Sequence, residues 1–159
     1  MRWSVLLFFT ILATLCRAAN AQENPQANSE DKVAIRQAAL DYIEGWYQGD
    51  ATRMERALHP ELAKRMVSTD PKTGRSTLSQ MGAMTLVQNT RKGSGTHFTK
   101  AQQLEDVTIL DVYRNAACVK IDAATWIDYL QLVKWNGEWK IVNVLWELKP
   151  ALASTEQSK

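Results

Sequence analysis

Apolar residues recur along this chain with two different periods, and the change between them divides it. Over Asp31–Gln48, Ile35, Ala38, Ala39, Tyr42, Ile43 and Trp46 fall on one stripe at helical spacing, which predicts an amphipathic helix. Asn28 or Ser29 can cap its start and Gly49 ends it. Asp50 caps a second short helix, Ala51–Leu58, which stops at His59-Pro60. Leu62–Thr69 fits either a strand or a helix. Asp70–Gly74 reads as a turn, Thr77–Met81 as a short strand, and Ala83–Arg91 as a third helix with Met84, Leu86 and Val87 on its apolar side. Residues 92–99 (K-G-S-G-T-H-F-T) form a loop. Beyond it the period becomes two, predicting strands at Leu104–Tyr113, Ala116–Ala123, Trp126–Trp135 and Glu138–Glu147.

The last two strands carry the most information. Asn136-Gly137 between apolar runs marks a two-residue type I′ hairpin turn, which needs positive φ at both positions. Residues equidistant from that turn then sit opposite each other. Trp139, Ile141, Asn143 and Leu145 share one face with Lys134, Leu132, Leu130 and Asp128. The other face carries Ile127, Tyr129, Gln131, Val133 and Trp135 with Glu138, Lys140, Val142, Val144 and Trp146. Both faces are largely apolar, so the hairpin is expected to be covered twice, by a helix inside and by a second subunit outside. Helices followed by a four-strand antiparallel meander indicate the α+β class. A curved sheet wrapped around the N-terminal helices makes a cone whose wide end stays partly open as a pocket.

Composition adds a compartment and removes some partners. Met1-Arg2, the apolar run Val5–Leu15 and the small residues Ala19-Asn20-Ala21 match a secretory signal peptide over 1–21. Residues 22–29 read as a flexible leader, 30–149 as one domain and 150–159 as a disordered tail. The expected location is therefore secreted or periplasmic, with no stable membrane anchor after cleavage. Cleavage would remove Arg2 and Arg17 from the 19 basic residues, leaving a count equal to the 17 acidic ones. A neutral domain argues against a nucleic-acid partner. Cys16 would leave too, so Cys118, in an apolar strand, would be the only thiol and is expected to be buried and inert. Two distant histidines and no cysteine cluster leave no metal site, and no cofactor is expected.

Three stretches carry a resemblance: A-L-D-Y-I-E-G-W-Y-Q-G-D (39–50), A-L-H-P-E-L (57–62) and N-G-E-W-K-I-V-N-V-L-W (136–146), with T-I-L-D-V-Y (108–113) and D-Y-L (128–130) in support. The chain resembles the nuclear transport factor 2-like superfamily, and within it the putative lumazine-binding proteins, near the polyketide-cyclase-like branch. The resemblance implies the cone-shaped cystatin-like fold. It also implies a homodimer through the convex sheet face, here Ile127, Tyr129, Val133, Val142, Val144 and Trp146. In ketosteroid-isomerase-like members a tyrosine seven residues before the helix-ending glycine donates a hydrogen bond to a developing enolate oxygen. Tyr42 stands seven residues before Gly49. The same spacing puts Met66 where those enzymes hold their carboxylate base, and methionine cannot take a proton. Asp128 lies on the strand where they place an acidic oxyanion partner.

The expected ligand-binding residues are Tyr42, Trp46, Asp128 and Asn143, with His59 at the rim. Tyr42 and Trp46 read equally as packing residues on the helix. His59 reads as a proton-transfer group or as a residue capping the helix end. His97 sits in the loop and matters only if that loop folds over the pocket. Asp128 and Asn143 are polar on an inner face, which requires a wet pocket or a satisfied network. Arg65 either crosses into the cone to meet Asp128 or lies at the surface. The leading reading is a protein that binds a small, partly aromatic molecule without transforming it. The alternative is an isomerase, dehydratase or cyclase using His59 or Asp128 for proton transfer and Tyr42 as hydrogen-bond donor. A third is an interaction module with a filled cone.

Overall fold

A computed structural model of the protein describes residues 28–150. The expected signal peptide, residues 22–27 of the leader and the tail from residue 151 lie outside the described residues.

Helix α1 spans Ser29–Gln48. Asn28 caps it, its Oδ1 accepting from the Asp31 amide at 2.7 Å, and Gly49 closes it in the left-handed region at φ 70°. Helix α2, Ala51–Ala57, is capped by Asp50, whose Oδ1 accepts from the Thr52 and Arg53 amides at 3.0 Å. Asp41 locks the two helices together. Its carboxylate takes Arg53 Nε and Arg56 Nε, each at 2.8 Å, and Gln37 Nε2 at 3.0 Å. Burial pushes the Asp41 carboxyl up, but Arg56, Arg53 and Gln37 outweigh it and hold the group below the usual carboxylate range.

The segment that fits helix or strand is a strand. β1 runs Leu58–Thr69, so it takes in His59-Pro60 instead of starting after them. Pro60 has no N–H to give to a ladder, and the pairing with β6 breaks between Leu58 and Ala63 to pass it. β2 is Ser76–Gly82, α3 Ala83–Arg91, β3 Asp106–Tyr113, β4 Ala116–Asp122, β5 Trp126–Trp135 and β6 Glu138–Leu148. The expected meander β3–β4–β5–β6 forms, and β1 extends it by pairing parallel with β6, giving the order β2-β1-β6-β5-β4-β3. The buried stripe of α1 (Ile35, Ala39, Tyr42, Ile43) packs into one core with Val119, Ile121, Leu130, Leu132, Ile141 and Val144 of the concave sheet face. Lys134 Nζ and Trp139 Nε1 both donate to Asp31 Oδ1 at 2.8 Å, tying the first turn of α1 to the hairpin end.

The turn is as expected, with φ 51° at Asn136 and 86° at Gly137. Symmetric pairing holds as far as Leu132 opposite Ile141. Then Gln131 faces Asn143, because β6 carries one extra residue at a β-bulge around Val142. Every β6 residue beyond it changes sides relative to the symmetric reading. Asn143, expected inside, lies on the convex face, where its Nδ2 donates to Gln131 Oε1 at 3.0 Å and its Oδ1 accepts from Arg65 at 3.3 Å. Val144 and Trp146, expected on the convex face, are turned inward, and Leu145 takes their place outside. Among the described residues no helix is long and apolar enough to cross a membrane.

Candidate functional site

The wide end of the cone encloses a cavity of about 340 Å³. Its walls are mostly apolar: Ile43 and Trp46 from α1, Met54 from α2, Leu86 from α3, Trp126 and Trp146 from the sheet. Phe98 closes one side from the loop after α3. It meets Tyr47 and Trp126 at ring-centroid distances of 5.7 and 5.8 Å, and Tyr47 meets Trp126 at 5.9 Å. Gly95 lets that loop lie against α1. A Cβ there would come within 2.3 Å of the Trp46 carbonyl oxygen and 2.6 Å of its indole. The loop thus folds over the cavity, and His97 joins the lining.

A polar group sits in this apolar wall. Lys64, only 8 % exposed, reaches in from β1. Its Nζ donates to Tyr42 Oη at 2.6 Å and to Asp128 Oδ1 at 2.8 Å. Asp128 is fully buried, and its Oδ2 accepts from Trp126 Nε1 at 2.6 Å. The Lys64 nitrogen also stands 4.9 Å from the Trp146 ring centroid, a cation–π contact. Lys64 and Tyr42 border the cavity; Asp128 lies behind them. Burial pulls the Lys64 ammonium down from the usual lysine range, against the opposing pull of Asp128. Burial also holds the Tyr42 hydroxyl protonated well above the usual tyrosine range, and the Asp128 charge adds to that. An ammonium has three N–H groups, and two are used on protein acceptors. The Tyr42 hydroxyl accepts from Lys64, and its own hydrogen has the Asp128 carboxylate or a guest oxygen as acceptors.

Of the residues expected at the site, Tyr42 and Trp46 border the cavity, and Asp128 lies directly behind Lys64. Asn143 does not reach it, for the reason of register given above. His59 does not either. Its ring packs edge-on against Trp135 at 5.0 Å, beside the hairpin turn at the other end of β5, and its Nδ1 accepts from the Glu61 amide at 3.2 Å. Its place follows from β1 starting at once after α2. Arg65 turns outward to Gln80 and Asn143, and Lys64 makes the contact with Asp128. The sequence does hold a signal for Lys64: read as a strand, Leu62, Lys64 and Met66 share one face, and Leu62 belongs to the core. Cys118 is half-buried on β4, where it was expected to be buried.

A curved six-strand sheet closed by N-terminal helices around an end cavity defines the nuclear transport factor 2-like, or cystatin-like, class. Solved structures agree on this fold. A nuclear transport factor 2-like protein of unknown function from Shewanella baltica OS155 matches with TM-score 0.60 and 19 % identity, over 79 % of this chain and 99 % of its own. Another, from Methylobacillus flagellatus KT, matches with TM-score 0.62 and 18 % identity, over 79 % and 98 %. A protein of unknown function with a cystatin-like fold from Nostoc punctiforme PCC 73102 gives 0.57 and 18 %, over 80 % and 98 %. No curated protein matches. The model of the putative lumazine-binding family matches residues 30–147, and the chain belongs to that family.

Proposed function

We propose that this protein is an exported binder of a small, partly aromatic molecule, held in the cavity at the wide end of the cone. The observation that carries this reading is a hydrogen-bonded polar pair, Lys64 and Tyr42, in a mostly apolar and aromatic wall whose other polar residues are Asn89, His97 and Thr125. A volume of about 340 Å³ falls in the range of small-molecule sites. Trp46, Phe98, Trp126 and Trp146 suit a planar ring, while the Tyr42 hydroxyl and the Lys64 ammonium suit a carbonyl or hydroxyl oxygen on it. Lys64 is neutralised by Asp128, so a neutral polar ligand fits the local charge better than a dianion. Membership of a family named for lumazine binding supports a heteroaromatic guest without naming it. The leader-like residues 1–21 support export.

The test is native mass spectrometry of the purified protein for a retained ligand, followed by titration of variants with that ligand. Tyr42→Phe is expected to weaken binding by about 1 kcal/mol, the loss of one hydrogen bond. His59→Ala is expected to leave affinity unchanged, because His59 packs on Trp135 away from the cavity. Equal affinity in wild type and Tyr42→Phe would remove Tyr42 from the site. An isomerase, dehydratase or cyclase reading has one observation in its favour: a titratable amine bonded to Tyr42, with Asp128 behind it. Lys64 replaces His59 in that reading.

A homodimer through the convex face is the accompanying proposal. Leu110, Tyr113, Tyr129, Trp135 and Leu145 are each about half exposed or more, and Ile127, Val133 and Val142 lie among them. Monomers seldom leave so large an apolar surface in water. Sedimentation velocity is expected to give a dimer that Leu145→Lys and Tyr129→Glu together convert to a monomer; a wild-type monomer at high concentration would refute it.

A further inference from the structure

We infer that Lys64 is a carbonyl-reactive amine, which captures aldehydes or ketones entering the cavity as a covalent, reversible imine. The inference rests on the ligand-binding reading above and assigns the reacting atom. Three geometrical facts support it. Lys64 lines the cavity while only 8 % exposed, so a guest meets it where bulk water is largely kept out. A proton acceptor, Asp128 Oδ1, lies 2.8 Å away on the side opposite the guest. A proton donor to a guest oxygen, the Tyr42 hydroxyl, lies 2.6 Å away on the cavity side.

The step balances with these groups alone. The Lys64 ammonium passes one proton to the Asp128 carboxylate, freeing the nitrogen lone pair. That pair attacks the carbonyl carbon, and the C=O π electrons move to oxygen. The oxygen takes a proton from Tyr42, which recovers one from the newly cationic nitrogen, leaving a neutral carbinolamine. Tyr42 gives its proton to the hydroxyl, which departs as water as the C=N bond forms, and Tyr42 takes its proton back from Asp128. The product is a protonated imine, positively charged as the ammonium was, so its ion pair with Asp128 is kept. Water is the only by-product, and an apolar cavity lowers its local activity and favours the condensation. Burial, which draws the Lys64 ammonium down against the opposing pull of Asp128, lowers the cost of the proton transfer that opens the step. The charged and titratable groups facing Lys64 are Asp128 from β5 and Tyr42 from α1; His97 borders the same cavity from the loop. Aromatic walls set the carbonyl compound as an aryl or other planar one.

The experiment treats the full chain with benzaldehyde and sodium cyanoborohydride, which reduces the imine to a stable benzyl amine, and maps the adduct by peptide mass spectrometry. Lys64 is expected to be labelled first, ahead of the exposed Lys72, Lys92 and Lys100, and to lose that lead in denaturant. Tyr42→Phe is expected to slow labelling at Lys64 and leave the surface lysines unchanged. Benzyl alcohol, which has the ring but no carbonyl, is titrated in parallel by tryptophan fluorescence. Labelling confined to surface lysines while benzyl alcohol still binds would overturn the imine and leave the pocket standing. Surface labelling without benzyl alcohol binding would overturn both.

Discussion

Replacing Asp128 by alanine is expected to destabilise the fold by about 3–5 kcal/mol, the usual cost of breaking a buried ion pair from one side. Most domains hold only about 5–15 kcal/mol in total. The variant would leave the Lys64 ammonium shielded from water with the Tyr42 hydroxyl as its one hydrogen-bonded side-chain acceptor. It would also take the acceptor from Trp126 Nε1. The lysine has one escape, which is to release its proton. That makes the damage depend on pH, and the sign follows from proton counting. Burial already places the folded Lys64 below its unfolded range, and losing Asp128 lowers it further. Between the folded and unfolded values the unfolded chain carries the proton that the folded chain has shed, so stability rises with pH there. Urea denaturation across the alkaline range is the measurement. Asp128→Ala is expected to regain stability relative to wild type as pH rises toward the ordinary lysine value. The double change Lys64→Met with Asp128→Leu removes both charges and is expected to recover most of the loss, short of about 1 kcal/mol for the Trp126 hydrogen bond. A single variant as stable as wild type at neutral pH would show that the pair carries no structural weight.

Gly95→Ala is expected to be the next most damaging change, at about 3 kcal/mol, the upper end of what inserting a methyl into a filled site costs. The added carbon would meet a backbone oxygen, not the flexible end of a side chain, so either the loop or the end of α1 must move. The loop carries Phe98 and His97 to the cavity, so ligand affinity should fall with stability. Thermal denaturation and ligand titration of the variant test both. Hydrogen exchange should show the new mobility confined to residues 92–103 and to the end of α1. Unchanged exchange there would mean that the loop does not depend on close contact with Trp46.

The helix stripe Ile35–Tyr42 and the Asn136-Gly137 turn were legible from sequence because each is written in neighbouring residues. A periodic apolar pattern needs no partner to be seen, and a turn that demands positive φ names its own residues. The inward placement of Tyr42, Trp46 and Asp128 followed from those patterns. β1 was not legible, since Pro60, Lys64 and Arg65 interrupt the alternation that marks a half-buried strand. Lys64 escaped for a related reason. A lysine is ordinarily a surface residue, and what permits its burial is a carboxylate 64 positions away on another strand. His59 was misplaced because nearness in sequence to a helix end says nothing about which end of the sheet the next strand enters. Asn143 was misplaced by one residue of register, which no local pattern announces.

That one residue has a use beyond this chain. Because β6 gains a position near Val142, an indole rather than a leucine faces the cavity four residues later. A relative lacking the insertion would present the opposite set of side chains to its ligand, even if the letters of its final hairpin were nearly the same. Transferring binding roles between relatives by matching columns is therefore sound only where both chains carry the kink. Whether it is present is the first thing to establish before a guest known for one relative is assigned to another.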